Sequence, residues 1–236
     1  MQLNVVLAIF EFALLIFSLC VHEAAHAWTA SILGDQTARL QGRVTLNPAY
    51  HIDPIGTLLF PGIAIFGPLL GFTLFSGLLI GWARPTPVMT RNFRKIKRDD
   101  NLTTLAGPAS NLLLAVLFFV VLTGISHFAP GGRELVVNAF AFNFILDGNP
   151  VLTPVILLCT LGILVNVSLC AFNLLPIPPL DGSHIIRNML PYNAMQAYDR
   201  IPMMVSYLLM IFFGGFFIRL IMNPLLALAR WGLLHL

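Results

Sequence analysis

Along most of this chain apolar residues neither alternate nor recur as a one-sided stripe; they run on for lengths that match a membrane. A helix needs about 20 apolar residues to cross the hydrocarbon layer. Four stretches reach that length: residues 3–33, 102–127, 151–175 and 201–220 or longer. The last holds Gly214-Gly215 and Asn223-Pro224, so it reads either as one kinked helix or as two pieces. A fifth apolar region, within 54–82, contains Pro61, Gly62, Gly67, Pro68, Gly71, Gly77 and Gly81. So many breakers argue against one clean crossing and for a re-entrant segment whose backbone is buried in protein.

Polar residues punctuate these runs. Residues 39–46, RLQGRVTL, are assigned to a short β-strand pair. Asp53-Pro54 has the form of an N-cap followed by proline at the first helical position. Residues 83–100 form a basic loop with Arg84, Arg91, Arg94, Lys95, Lys97 and Arg98, nearly half of the 13 Lys and Arg residues. Such a loop belongs on the cytoplasmic side. The expected fold is therefore an all-α polytopic membrane protein with about four full transmembrane helices, a re-entrant segment and a strand pair. Residues 1–236 are expected to make a single membrane-embedded domain.

Composition agrees with this pattern. The chain is 58% hydrophobic and 10% charged, with a mean hydropathy of +0.86, where a soluble domain carries about 25% charge. The net charge of +3 comes largely from one loop and gives no reason to expect a nucleic-acid partner. Cys20, Cys159 and Cys170 lie in apolar runs without a C-x-x-C pair, which argues against disulfides and thiolate metal clusters.

The first span ends in an anomaly, VHEAAHAWTA, where two histidines and a glutamate occupy sequence otherwise built for lipid. Ionisable groups at membrane depth are costly and are functional candidates by default. His22 and His26 are spaced i, i+4, so both project from one helix face and can reach one metal ion. Glu23 then stands beside the metal, suited to take a proton from water. A catalytic zinc commonly takes a third protein ligand. Of the 10 carboxylates, Glu11 lies about 16 Å along the same helix at roughly 1.5 Å per residue, and most others read as caps or loop residues. Asp181 remains, in FNLLPIPPLDGSH, where three prolines break down a long apolar span. Alone this proline-rich stretch reads as an ordinary loop; beside an unpartnered H-E-x-x-H it reads as part of a metal site.

With HEAAH, AGPASNLLLA and NLLPIPPLDG in view, the chain resembles the site-2 protease family of intramembrane zinc metalloproteases. GRVTLNPAYHIDPIGTLLFP and GWARPTPVMTRNFR are similar to its compact branch without a PDZ domain. The resemblance implies one catalytic Zn2+ held by His22, His26 and Asp181, with Glu23 as general base. It also implies that Asn173 holds the substrate backbone or oxyanion. The family often has D-G-G where this chain has Asp181-Gly182-Ser183.

The implied activity is hydrolysis of a peptide bond in or near a transmembrane segment of a membrane-protein substrate, in a prokaryotic cell membrane with the site towards the cytoplasm. Membrane lipid is the other expected partner. An unwound substrate is expected to pair with Val44, Thr45 and Leu46 as an added strand. The alternative reading is a non-catalytic metal-binding scaffold of the same fold. His51, His184 and Asn111 are left open, with packing or backbone bonding the favoured role for His51 and Asn111.

Overall fold

The computed structural model describes residues 2–72, 81–143 and 149–235. Among these residues the regular structure is helical, without a strand. The first apolar run is one helix, α1 (Gln2–Leu33), because no glycine or proline interrupts it. It stops at Gly34, whose φ is +120°. The Asp35 amide reaches back to the Ala30 carbonyl at 2.9 Å, a Schellman-type closure that satisfies a terminal helix carbonyl.

A single turn, α2 (Thr37–Leu40), follows. Asp53 caps the next segment as its sequence suggests: its carboxylate accepts from the Ile55 and Gly56 amides at 3.0 and 2.7 Å. Pro54–Leu59 forms a wide turn that leads into α3 (Phe60–Phe66) and a tight turn at Gly67–Leu70. Three further helices carry most of the rest: α4 (Ile96–Phe128), the short α5 (Gly132–Phe140) and α6 (Leu152–Asn173). After the prolines come α7 (Asp181–Met189), α8 (Tyr192–Asp199) and α9 (Met203–His235).

Four of these helices, α1, α4, α6 and α9, are long and apolar enough to cross a membrane. Their outward faces carry exposed apolar residues such as Leu113 and Val120 on α4 and Phe212 and Phe216 on α9. So much unpartnered apolar surface suits lipid and not water. The chain is an integral membrane protein.

α4 packs against both α1 and α6, and α1 also touches α6. The apolar core joins Ala115 and Leu122 of α4, Val136, Ala139 and Phe140 of α5, and Ile156, Cys159, Ile163 and Val167 of α6. A Cβ at Gly162 would lie 2.6 Å from the Phe118 ring, so glycine there lets α4 and α6 close on one another.

Two expectations need correction. The strand pair at 39–46 is absent: Arg39 and Leu40 end α2, and the chain then turns. The amides of Gly42 and Arg43 bond back to Arg39 and Ala38 at 3.0 and 2.9 Å, and Gly42 takes a φ of +71°. Those local bonds use the groups a ladder would need. The basic loop is also shorter than 83–100, because α4 starts at Ile96. Asp99 accepts from the Lys95 amide and the Arg98 guanidinium, both at 2.8 Å, and an acidic residue in a first helical turn is favourable. Of the two readings left open for the last span, the single helix holds: Met203–His235 is continuous with Pro224 inside it. Residues 73–80 of the expected re-entrant segment lie outside the described residues.

Candidate metal centre and active site

Three helices bring the predicted site together. His22 and His26 sit in the last third of α1, Asp181 opens α7 just beyond α6, and α4 passes beside both histidines. The histidine Nε2 atoms lie 3.0 Å apart. The Asp181 carboxylate stands 3.1 Å from His22 Nε2 and 3.4 Å from His26 Nε2. One ligand atom from each of the three residues falls within 4.8 Å of the others. Both histidines are buried.

The other ring nitrogens are tied down. His26 Nδ1 donates to the Thr103 carbonyl at 2.7 Å, and His22 Nδ1 lies 3.0 Å from Asn111 Oδ1. Both partners are oxygen acceptors, so each neutral ring carries its proton on Nδ1 and turns a bare Nε2 lone pair inward. The two Nε2 atoms and the Asp181 carboxylate thus converge on one largely buried space. Asp181 Oδ2 is itself buried without a hydrogen bond among the described residues.

Such an arrangement fits a divalent cation of the zinc type, bound by two histidines and a carboxylate. The outer partners, Thr103 and Asn111, orient the ligands as metal-bound histidines require. Space for the ligands is secured by Gly107 of α4. A Cβ there would come within 2.4 Å of His26 Nε2 and 2.6 Å of His22 Nε2. Pro108 beside it removes one amide from the α4 ladder and crowds the preceding turn, the turn that presents the Thr103 carbonyl.

Glu23 is held from a different direction. Its Oε2 accepts from the Thr86 amide at 3.0 Å and lies 2.7 Å from the Thr86 hydroxyl. Thr86 belongs to the 83–89 stretch, and that stretch is anchored in turn by Asp35. The Asp35 carboxylate accepts from the Met89 amide at 2.7 Å and Asn92 at 2.8 Å, and from the Thr37 amide and hydroxyl at 3.1 and 2.5 Å. Burial pushes the Asp35 carboxyl up, yet these donors leave it below its ordinary value.

The profile of peptidase family M50 matches residues 10–213. The chain belongs to peptidase family M50. This is the site-2 protease family, metalloproteases with zinc as their metal, and the resemblance carried by HEAAH and NLLPIPPLDG is borne out. Among relatives, the chain is 40% identical over 177 residues to "Putative zinc metalloprotease YwhC" of Bacillus subtilis, across 75% of this chain and 67% of that protein. It is 33% identical over 168 residues to "Putative zinc metalloprotease Rip2" of Mycolicibacterium smegmatis, across 71% of this chain and 52% of that one. The chain thus spans about half of Rip2. No solved structure gives a significant match.

The remaining candidates separate. Asn173 donates to the Leu169 carbonyl of its own helix at 3.0 Å and makes no hydrogen bond to the ligand trio among the described residues. Val44 and Leu46 are exposed. His51 is buried, donating through Nε2 to the Thr45 carbonyl at 2.8 Å while its own carbonyl accepts from the Arg84 amide at 2.8 Å; it braces the loops and lies outside the ligand trio. His184 is exposed on α7, outside the trio. Asn111, left open in the sequence, is the residue that orients His22. Thr86, Thr103 and Gly107 were missed. The small-residue run AGPAS was the available signal for Gly107, and proline on both sides of Thr86 was the signal for a fixed strap.

Proposed function

We propose that this protein is an intramembrane zinc metalloprotease that hydrolyses a peptide bond in or near a transmembrane segment of a membrane-protein substrate. The observation that carries the reading is the meeting of His22, His26 and Asp181 within 4.8 Å, with both Nδ1 atoms engaged elsewhere and Glu23 next in sequence. Zinc, when bound, supplies Lewis acidity that acidifies water and polarises a carbonyl.

The chain's own residues do the rest. Asn111 and Thr103 keep the imidazoles turned inward, and Asp181 supplies the third ligand and neutralising charge. Glu23 takes the proton of the attacking water and returns it to the departing amine. A peptide bond in an intact helix is shielded, so the substrate must unwind first. Val44 and Leu46 are exposed and outside any helix, and this supports a role for 44–46 in pairing with the unwound stretch. Asn173 is proposed to hold the substrate backbone or oxyanion, for which its amide must leave Leu169.

The same geometry supports a topology. His22 and His26 lie late in α1, Gly107 and Asn111 early in α4, and Asp181 just after α6. One depth for all five makes α1 and α6 run the same way and α4 the other. With the basic loop cytoplasmic, the site lies towards the cytoplasm. Residues 54–82 then start and finish on that side. The Trp82 amide meets the Gly56 carbonyl at 3.1 Å, and Thr57 Oγ1 donates to the Trp82 carbonyl at 2.8 Å, which supports re-entry over a crossing. Cysteines at Gln41 and Arg94 should both label from the cytoplasm; labelling from opposite faces would overturn this topology.

The functional test is purified protein with metal analysis and a panel of single-span substrates, comparing wild type with Glu23→Gln. The expected result is about one zinc in both and cleavage by wild type alone, the variant losing at least about 10²–10⁴-fold. Activity within about tenfold of wild type would remove Glu23 from the role of base.

A further inference from the structure

Thr86 lies in Arg84-Pro85-Thr86-Pro87, a stretch outside any helix between the 54–82 segment and α4. It is 63 residues from Glu23 in sequence, yet it makes three contacts with that residue. Its amide donates to Glu23 Oε2 at 3.0 Å, and its hydroxyl is 2.7 Å from the same oxygen and 3.1 Å from the Glu23 carbonyl. Pro85 and Pro87 have no amide hydrogen and fixed φ angles. Thr86 therefore carries the lone backbone donor of this tripeptide, held from both sides by rings. Glu23 Oε1 accepts no hydrogen bond from the described residues.

We infer that Thr86 is a positioning residue for the general base: its two donors occupy Oε2 and so assign proton transfer to Oε1. The inference rests on the reading of Glu23 as base. A carboxylate oxygen has two in-plane lone pairs, and the Thr86 amide and hydroxyl account for both on Oε2. The proton released when water adds to the scissile carbonyl therefore goes to Oε1. It leaves from Oε1 for the amide nitrogen as the C–N bond breaks, so that the amine departs with that proton and the new carboxyl keeps the water oxygen. With Oε2 fixed, the carboxyl does not turn over between the two transfers, and one oxygen serves both.

A structural tie between strap and helix would need only the backbone bond, so the hydroxyl separates the two roles. Thr86→Val keeps the amide and nearly the same volume, whereas Thr86→Ser keeps the hydroxyl. The test measures kcat, KM and bound zinc for wild type, Thr86→Val, Thr86→Ser and Glu23→Gln on one single-span substrate. Loss of a hydrogen bond to a charged group corresponds to about 10–100-fold. Thr86→Val should lose that much in kcat, with KM and zinc unchanged, and Thr86→Ser should return to within about threefold of wild type. Wild-type kcat in Thr86→Val, equal damage in Thr86→Ser, or loss of zinc in step with activity would overturn the proposal. If Glu23→Gln cleaves as well as wild type, the base assignment falls and takes this proposal with it. If Glu23→Gln is inactive while Thr86→Val is fully active, only the role of Thr86 falls.

Discussion

Helices α4 and α9 are alike on paper. Each has 33 residues and an internal proline, Pro108 in one and Pro224 in the other, and each is apolar enough to span a membrane. In the fold they do different work. α4 buries Thr103, Thr104, Gly107, Pro108 and Asn111 in its first half, against α1 and α7. Among the residues of α9 whose burial is described, Ser206 and Gly214 alone are buried, and most of the others are exposed. Length and hydropathy make a span; polar and small residues aimed at a neighbour make a wall of the active site.

The sharpest way to break this comparison is the same substitution in both helices. Gly107→Ala drives a methyl to 2.4 Å from His26 Nε2. It should remove zinc and cleavage together while the helical signal in circular dichroism is retained; a zinc-replete, active Gly107→Ala would mean that α4 does not shape the centre. Asn111→Ala comes next. It removes the acceptor at His22 Nδ1 and should weaken zinc about 10–100-fold, read by competition with a chelator of known affinity. Unchanged affinity would make Asn111 a packing residue.

Much of this site was legible beforehand, for a physical reason. His22 and His26 declare themselves because helical spacing is local, and Asp181 emerged because a membrane chain has few carboxylates to choose from. The four spans follow from hydropathy alone. What stayed hidden depends on contacts far apart in sequence: Asn111 is 89 residues from His22, Thr103 is 77 from His26 and Thr86 is 63 from Glu23. The strand pair at 39–46 failed because Gly42 turns the chain back through local bonds. The start of α4 was misjudged because charge was taken to mean loop, while Asp99 and its neighbours form the polar first turns of a helix.

A smaller effect tests the loop that carries Thr86. Asp35→Ala leaves the Met89 and Thr37 amides and the Asn92 side chain without their acceptor, and should cost about 1–3 kcal/mol of stability, measured as a lower Tm with zinc still bound. Because the Asp35 carboxyl is held below its unfolded value, its contribution is present above the usual aspartate range, about 3.9, and fades as pH falls through the folded value. The gap in Tm between wild type and Asp35→Ala should therefore narrow in acid; a constant gap would show that the charge is not involved. The smallest effect belongs to α9. Nothing lies within 4 Å of a Cβ placed at Gly215, so Gly215→Ala should leave zinc and cleavage intact and raise stability by at most about 1 kcal/mol. A damaged Gly215→Ala would mean that α9 is more than a lipid-facing wall.

A metal held by His22, His26 and Asp181 together is what the site's geometry calls for. X-ray absorption at the zinc edge of the purified protein addresses it directly, comparing wild type with Asp181→Ala. Wild type should show two imidazole ligands and light oxygen scatterers at about 2.0–2.2 Å, without sulfur, and Asp181→Ala a changed or vanished shell. A sulfur ligand, a single imidazole, or an identical shell in the two proteins would contradict it.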